Sequence, residues 1–544
     1  MLQINQLKLA VEHSEAELKR KIEKELALKR IFKDTLNFSY KILRKSIDAR
    51  RKPDVLFIYT ILVDFNDETI EKKILIKCNN KNVSIYNPTI FKPYYNINHC
   101  CDKSPVIVGE GPCGLFAGLI LAYAGLKPII IERGDRVAER VKKVEKFWQT
   151  GKIDDNTNVQ YGEGGAGTFS DGKLNTLVKD KTGKNQYVLD TFVKFGAKEE
   201  CAYDAKPHVG TDILETVVKN IREEIEAYGG NVLNLHKMTD IVIDDGKISG
   251  IVVENLNNDE QDRSVIINTE DVILAIGHSA RDTFDLLYSK GIQISQKNFA
   301  VGIRIQHSQK MIDDSQYGKG HSEKLPPSPY KVTNHTTNGR DVFSFCMCPG
   351  GYVVNASSKN GCTCINGMSY EDRSSGNANS ALIVAIDRQD FNSDHPLAGV
   401  YLQEKLEKKT YEIGNGKIPV QLFGDYEKGV LSSSYNSVEP KFKGDTAFAN
   451  LQEIFPKEIN EAIIESINKF GYTIEGFDDK DSIIAAVESR TSSPIRINRD
   501  ENFESNIKGL YPAGEGAGYA GGIMSAAMDG IKVAEAVIRK YEND

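Results

Sequence analysis

The chain has 544 residues, and a typical domain size of roughly 100–200 residues predicts about three domains. Its formal net charge of -7 argues against nucleic-acid binding through overall charge. Nine cysteines and a start without an apolar leader segment are typical of a cytoplasmic protein with reduced thiols, so we expect no disulfide scaffold and no membrane association. The 45 glycines concentrate in four segments, which predicts several glycine-rich loops: 109–118, 162–172, 346–376 and 509–530.

Residues 1–100 are rich in lysine and nearly free of glycine, which sets them apart from the rest of the chain. The spacing of Ser14 and Glu17 is that of a capping box, which predicts a helix start. β-Branched and aromatic residues predict strands around this helix, at 1–11, 38–43, 54–65 and 74–78. We therefore expect a small N-terminal α+β module.

A basic segment, 41–53, lies between two of these strands and contains six basic residues and one acidic residue. Such charge runs usually face water, so we favour a solvated hairpin tip. The alternative is an anion or RNA contact, although no aromatic stacking platform accompanies the segment.

The strongest motif lies at 105–118, where a short apolar strand leads into Gly109, Gly111 and Gly114 in the G-x-G-x-x-G spacing. A helix at 115–124 and a second strand at 128–131 follow. Glu132 ends that strand, where a carboxylate can accept hydrogen bonds from a ribose diol. The glycines permit a tight turn and a close approach of backbone to a pyrophosphate, so the pattern predicts a dinucleotide site.

NAD and FAD share this fingerprint, and three later segments favour a flavin. Residues 161–173 form a long glycine-rich loop whose backbone can approach a flat ligand. Residues 271–277 form an apolar strand that ends in Ala-Ile-Gly, and 509–518 lead through Gly-Glu-Gly into a C-terminal helix expected from about Gly518.

This combination resembles FAD-binding flavoproteins of the glutathione-reductase type, with Ile276 and Glu515 at positions where that group usually has Thr and Asp. Further segments are similar to the family of uncharacterised FAD-dependent dehydrogenases over nearly the whole chain: 46–50, 161–174, 277–283, 345–351, 488–494 and 514–529. The resemblance implies FAD and a Rossmann-like fold, and leaves the substrate open.

We therefore predict an α/β fold: a discontinuous Rossmann-like FAD-binding domain at 101–300 and 485–544, an inserted mixed α+β substrate domain at 301–484, and the N-terminal α+β module at 1–100. The predicted cofactor-binding residues follow the motif and the resemblance: Gly109, Gly111, Pro112, Gly114, Glu132, Arg133, Gly164, Gly165, Gly167, Thr168, Ser170, Lys173, Gly277, Gly514, Glu515, Gly522 and Ile523.

Catalytic candidates are fewer, because a flavin carries the hydride chemistry and the protein supplies position and charge. Cys346 and Cys348 form a C-x-C pair near the expected substrate region, with packing as the plainer interpretation. Arg281 and Arg490 are candidates for binding an anionic group. The cysteine spacing does not match a zinc site, so we predict no metal.

The resulting hypothesis is an FAD-dependent oxidoreductase that transfers hydride between FAD and a small, anionic molecule. No second strand–G-x-G-x-x-G–helix unit occurs in the sequence, so NAD(P)H, if used, is expected to bind transiently. Two alternatives stay open: an RNA-modifying flavoprotein that uses the basic segment, and a non-enzymatic flavin redox sensor. The sequence does not indicate the oligomeric state.

Overall fold

The computed structural model describes residues 1–34, 36–97, 103–257 and 263–543. The N-terminal elements come first in chain order: β1 (Leu2–Ala10), α1 (Glu15–Glu25), α2 (Leu28–Ile31), β2 (Ser39–Asp48), β3 (Leu56–Asp64), α3 (Glu68–Lys77) and β4 (Val83–Ile85). The four strands form an antiparallel sheet in the order β2-β3-β1-β4. The capping box is confirmed, since Ser14 Oγ accepts from the Glu17 N–H while Glu17 Oε2 accepts from the Ser14 N–H.

The predicted strand at 74–78 is wrong, because these residues lie at the end of α3. Asp67 caps this helix by accepting hydrogen bonds from the backbone N–H groups of Thr69 and Ile70. Ile74 is fully buried whereas Ile76 is 80% exposed, which an alternating strand with one buried face would not give. A local cap and a helical spacing of apolar residues thus decide the conformation.

The basic segment is only partly a hairpin tip, because β2 continues to Asp48 and pairs with β3 along its length. Strand β2 lies at the edge of its sheet, where its backbone bonds to a distant part of the chain. The Lys45 N–H donates to the Tyr203 carbonyl over 2.9 Å, and the Ala205 N–H donates to the Lys45 carbonyl over 2.8 Å. The Lys45 ammonium also lies over the Phe57 ring. These contacts attach the basic strand to the remainder of the protein, and RNA binding stays a prediction.

A second group of elements follows: β5 (Val106–Val108), α4 (Pro112–Tyr123), β6 (Ile129–Ile131), α5 (Val137–Thr150), α6 (Lys184–Lys194), α7 (Thr211–Ala227), β7 (Asn231–Leu233), β8 (His236–Asp244), β9 (Lys247–Asn255), β10 (Ser264–Asn268), β11 (Val272–Leu274) and α8 (Arg281–Ser289). In the described part of the chain, short 3₁₀ helices interrupt the loops at Ala166–Phe169, Glu199–Ala202 and Leu451–Glu453. The predicted strand–turn–helix–strand unit is confirmed by β5, α4 and β6, with Pro112 as the first residue of the helix.

The remaining elements are β12 (Ile294–Gln296), β13 (Phe299–Ser308), α9 (Gln309–Tyr317), β14 (Thr333–His335), β15 (Asp341–Cys348), β16 (Tyr352–Asn355), β17 (Ile365–Met368), β18 (Asn377–Ile386), α10 (Arg388–Phe391), α11 (Ala398–Ile413), β19 (Ile418–Leu422), α12 (Phe423–Lys428), β20 (Phe442–Lys443), β21 (Thr446–Phe448), α13 (Lys457–Phe470), β22 (Ile483–Glu488), β23 (Ile495–Ile497), β24 (Leu510–Pro512) and α14 (Ile523–Asn543). The C-terminal helix thus begins at Ile523, five residues after the predicted start.

The fold is mixed α/β, and its sheets join distant parts of the chain. A five-stranded parallel sheet has the order β24-β11-β5-β6-β7. A seven-stranded sheet has the order β14-β15-β18-β13-β22-β19-β21, and smaller sheets join β10-β9-β8, β17-β16-β20 and β12-β23. Helices α4, α7 and α14 contribute to one core on the parallel sheet. The predicted domain division stays a prediction, and its boundary at 100/101 lies outside the described residues.

Among the described residues, no helix combines the length and the apolar composition that a membrane span requires.

We expect Gly114→Ala to destabilise the protein, because the added Cβ would lie 1.8 Å from the Gly109 carbonyl oxygen. Overpacking against backbone of this kind costs about 3 kcal/mol. Urea unfolding measures the free energy of unfolding of the variant and of wild type. Gly111→Ala is the matched control, since its Cβ would meet only the Gly165 Cα at 3.8 Å. Equal stability of the two variants would contradict this close packing.

Candidate functional site

A central cavity of about 350 Å³ opens where the carboxyl ends of β5 and β11 face the end of β15. Its remaining wall comes from the loop 160–175, the end of β22 and the start of α14. This is the edge at which open α/β sheets bind ligands. The predicted site residues in its wall are Gly109, Gly111, Pro112, Glu132, Gly165, Gly167, Ser170, Lys173, Gly277, Cys346, Arg490, Glu515, Gly522 and Ile523.

Other predicted residues lie outside this wall. Gly114, Gly164, Thr168, Gly514, Cys348 and Arg281 are not among its lining residues. Arg133 lines a small neighbouring cavity of about 30 Å³ together with Tyr161 and His236. Its guanidinium pairs with Asp282 over 3.0 Å and lies over the Tyr161 ring. The structure therefore brings most of the predicted cofactor-binding residues together in one cavity wall. Of the predicted catalytic residues, Cys346 and Arg490 lie in that wall, whereas Cys348 and Arg281 lie outside it.

The turn after β5 has the geometry of an anion-binding turn. Gly109 has a left-handed φ of +104°, and a side chain there would meet the Ala275 carbonyl oxygen at 2.3 Å. Helix α4 begins at Pro112, and no side chain among the described residues caps its first turn. Free N–H groups and the positive end of the helix dipole therefore remain for an anionic ligand.

Glu132 lies in the cavity wall, and both of its oxygens accept backbone hydrogen bonds. Oε2 accepts from the Glu110 N–H over 3.0 Å, and Oε1 accepts from the N–H groups of Gly134 and Gly162 over 2.9 Å each. These bonds fix the carboxylate between the β5 turn and the loop 160–175. A carboxylate has about four lone-pair sites, so acceptor capacity remains for a ligand hydroxyl.

Arg140 was missed by the sequence analysis, although it holds the loop 160–175 in place. Its guanidinium is fully buried and donates to five backbone carbonyls, those of Asn158, Val159, Gly162, Glu163 and Gly165. Burial lowers the pKa of Arg140 to about 10, so the side chain stays charged at neutral pH. Its position on the buried face of α5, three residues after Val137, is the signal that could have identified it.

A buried acidic cluster lies beneath the β5 turn. Glu110 is fully buried, its Oε2 accepts from Asn234 Nδ2 over 2.6 Å, and its Oε1 has no hydrogen-bond partner among the described residues. Burial raises the pKa of Glu110, and the charges of Glu163 and Glu132 act in the same direction. Glu163 forms an ion pair with Arg222 at 2.8 Å. Burial and the neighbouring carboxylates thus disfavour a negative charge on Glu110 at this turn.

The opposite wall of the cavity carries Cys346 beside several charged side chains. The Lys173 ammonium donates to the Met347 carbonyl and pairs with Asp171 at 2.9 Å. Behind the wall, the fully buried Arg304 binds both oxygens of Glu488, at 3.0 and 2.9 Å. Neither Arg304 nor Glu488 was predicted. A charged residue within the apolar run 299–308 is the signal for the first of them.

Arg281 and Arg490 converge on one carboxylate. Each guanidinium makes two hydrogen bonds of 2.8 to 2.9 Å to Glu407, which is fully buried on α11. Arg490 also donates to the hydroxyls of Ser279 and Ser358 and reaches the cavity wall. Two cations share one anion here, so the group keeps a net positive charge next to the cavity.

We expect Glu407→Gln to destabilise the protein by about 3–5 kcal/mol, because it leaves two buried guanidinium groups without their counterion. Urea unfolding at neutral pH measures the loss. Glu404→Gln on the same helix is the control, since Glu404 makes ion pairs with Lys359 and Lys408 near the surface. That change should cost less than about 1 kcal/mol. Similar losses in both variants would contradict a buried network.

We expect Glu110→Gln to alter the pH dependence of stability. A carboxyl whose pKa is raised by folding contributes stability at low pH, and this contribution falls as pH rises from the unfolded value, about 4.3, toward the folded value. The amide does not titrate, so the unfolding free energy of the variant should rise relative to that of wild type between about pH 4 and pH 8. Glu323→Gln, at an exposed acid, is the control. A constant difference across this range would contradict a raised pKa of Glu110.

Comparison with known proteins adds family information. Residues 298–491 match the family described as FAD-dependent protein, C-terminal domain-like, and residues 1–64 match a domain of unknown function. The expected resemblance to FAD-dependent proteins is thus confirmed for residues 298–491. The finer placement with flavoproteins of the glutathione-reductase type stays a prediction.

Individual relatives were also found. Thiamine thiazole synthase from Methanococcus aeolicus is 26% identical over 237 residues, which are 43% of this chain and 73% of that protein. The structure of glycerol-3-phosphate dehydrogenase from Bacillus halodurans complexed with FAD covers 81% of this chain, and 64% of its own chain is matched, at 13% identity and a TM-score of 0.36. At that TM-score we draw no conclusion about this protein from the similarity.

A full-length match decides the family. A protein from Clostridium beijerinckii, named only as an uncharacterized protein, is 42% identical over 546 residues, which span 99% of each chain. Residues 298–491 match the family described as FAD-dependent protein, C-terminal domain-like. The whole chain therefore belongs to the family of this clostridial protein.

Proposed function

We propose that this protein is an FAD-dependent oxidoreductase that transfers hydride between the flavin and a small molecule in the central cavity. The proposal rests on one cavity, which is bounded on one side by the β5 turn and on the other by Cys346, Glu488 and Arg490. One side has the features that hold a dinucleotide, and the other has the reactive and charged groups that a substrate requires.

The residues at the β5 turn fit FAD. A methyl group at Gly111 would project into space bounded only by the Gly165 Cα at 3.8 Å, so the absence of a side chain leaves room for a diphosphate. His278 also lines the cavity; its Nδ1 lies 3.4 Å from Glu515, and its buried Nε2 has no partner among the described residues. A ligand hydroxyl or phosphate oxygen can complete these contacts.

Bound FAD supplies a two-electron acceptor and donor of hydride. The residues of the chain itself orient the ligands and stabilise charge on them. Gly522 and Ile523 bring the start of α14 to the cavity wall, where the positive end of a long helix favours negative charge on a ligand. Lys173 and Arg490 place cationic groups in the same wall, which supports a small anionic substrate.

The proposed function also implies a division of the chain into domains and a way of binding NAD(P)H. We propose that the parallel sheet, with strands from 106–108 to 510–512, is the core of a discontinuous FAD-binding domain. The segment containing the seven-stranded sheet would then supply the substrate wall. NAD(P)H, where it serves as a donor, would bind transiently in the same cavity.

We expect purified protein to bind FAD, and Gly111→Ala to weaken this binding at least about tenfold because its methyl group would occupy the diphosphate position. Titration of apoprotein with FAD, followed by flavin absorbance and fluorescence, gives the dissociation constant. The unfolding free energy of the variant should match wild type, which separates loss of ligand binding from loss of fold. Unchanged FAD affinity would contradict the assignment of this turn.

The oxidoreductase part of the proposal is tested on the flavin-loaded protein without oxygen. Rapid mixing with NADH, NADPH and a panel of small organic acids should bleach the flavin with at least one donor on a time scale of seconds. If every donor fails while FAD remains bound, the non-enzymatic flavin sensor becomes the better description.

A further inference from the structure

Cys346 and Cys348 lie two residues apart on β15 but leave regular strand geometry. Two residues of extended chain span about 6.6 Å, close to the upper limit for a disulfide. Here the pairing of β15 with β18 shifts register between Phe345 and Cys348, and Cys346 has a left-handed φ of +44°. The Cys348 thiol donates to the Cys346 backbone carbonyl over 3.2 Å, which holds the Cys348 sulfur close to Cys346.

The two thiols differ in access and in charge. Cys346 lines the central cavity, whereas Cys348 is fully buried behind it, with its Sγ 3.9 Å from Arg304 Nη1. The neighbouring Cys348 side chain lowers the pKa of the Cys346 thiol, and the charges of Lys173 and Arg304 act in the same direction against the effect of burial. Burial raises the pKa of Cys348. The pair therefore consists of an accessible thiolate and a buried thiol.

The charges around the pair show why a thiolate fits here. The ion pairs around the two cysteines join Lys173, Arg304 and Arg373 to Asp171 and Glu488, apart from the neighbouring group formed by Arg281, Arg490 and Glu407. Three cations and two carboxylates leave a surplus of one positive charge, which a thiolate at Cys346 balances. Burial raises the pKa of Glu488, and its protonation would only enlarge this surplus.

Gly367 preserves the space for this arrangement. An added Cβ there would lie 2.3 Å from Arg304 Nη1 and 2.6 Å from Cys348 Sγ. One glycine of the cluster at 346–376, whose purpose the sequence did not indicate, thus allows a guanidinium to approach the buried thiol. The site is built by residues from five separate segments of the chain, around 171–173, 304, 346–348, 367–373 and 488.

We propose that Cys346 and Cys348 are a hydroperoxide-sensitive thiol pair in the cavity wall, with Cys346 as the attacking thiolate and Cys348 as the resolving thiol. An accessible, charge-stabilised thiolate next to a second thiol is the arrangement that such chemistry requires. The Cys346 sulfur attacks the hydroperoxide, the O–O bond breaks, and with one proton an alcohol or water leaves as Cys346 becomes a sulfenic acid. The Cys348 sulfur then displaces water and forms the disulfide.

Oxidation changes the charge of the cavity. The thiolate is lost, and the surplus positive charge in the wall is no longer balanced. An anionic ligand should then bind more tightly, so the pair couples exposure to hydroperoxide to ligand affinity. This chemistry needs no flavin, and its failure is distinguishable from failure of the proposed function.

The test uses the full chain, with and without FAD, treated with hydrogen peroxide and analysed by intact and peptide mass spectrometry. Wild type should lose two hydrogens, with both Cys346 and Cys348 protected from alkylation. Cys348→Ser should instead trap a sulfenic acid on Cys346 that reacts with dimedone, and Cys346→Ser should form neither product. Cys364→Ser is the control, because burial raises the pKa of that thiol to about 12 and it should not take part.

Before oxidation, iodoacetamide should modify Cys346 of the wild-type protein at least about tenfold faster than Cys364 at neutral pH, in proportion to thiolate content. This measurement needs no variant, so misfolding of a substituted chain leaves the test intact. Equal rates, or peroxide oxidation that leaves the two thiols unlinked, would overturn the proposal. So would a disulfide that forms anaerobically with FAD alone and not with peroxide, because the electrons would then belong to the flavin reaction.

Discussion

The buried guanidinium of Arg140 is the interaction on which the site depends most. A glycine-rich loop has little side-chain packing to define it, and glycine loses the most conformational entropy on ordering. Arg140 replaces that packing with five hydrogen bonds to loop carbonyls from one rigid, planar group. The loop is then fixed against the β5 turn, where the Gly164 N–H donates to the Glu110 carbonyl over 2.9 Å.

Burying this cation also explains the acidic residues beneath the turn. Glu132 and Glu163 raise the pKa of Arg140 and offset the cost of removing its charge from water. Burial raises the pKa of Glu110, and the charges of Glu163 and Glu132 act in the same direction. One buried arginine thus connects the shape of the loop, the position of the Glu132 carboxylate and the raised pKa of Glu110.

Local pattern predicted the parts of the fold that local interactions determine. The unit β5–α4–β6 was identified because strand, turn glycines and helix are neighbours in sequence, and the capping box at Ser14 because it spans three residues. The error at 74–78 arose where apolar spacing fits two periods, and the cap at Asp67 should have decided for a helix. Cys346 and Lys173 were predicted separately, yet nothing in the sequence joined them.

The missed residues are mostly partners in long-range ion pairs. Arg304 and Glu488 are 184 residues apart in sequence, and Arg281 and Glu407 are 126 apart. Such pairs form only after several strands have assembled, so no window of sequence contains both members. What a sequence does show is one half of each pair, a charged residue in an apolar run. Arg304 in 299–308 is of this kind, and an unpaired charge at such a position itself predicts a buried partner. Arg140 on the buried face of α5 gives a similar signal, although its partners are backbone carbonyls.

These charges divide the cavity into two electrostatic regions. At the β5 turn the protein offers backbone N–H groups and the positive end of a helix dipole, both of which attract an anion. At the opposite wall Lys173, Arg304 and Arg490 are each tied to a carboxylate, which fixes their positions and reduces their net charge. A small imbalance between positive and negative charges therefore determines the electrostatic field at this wall. Oxidation of Cys346 removes one negative charge from this wall and so changes that imbalance.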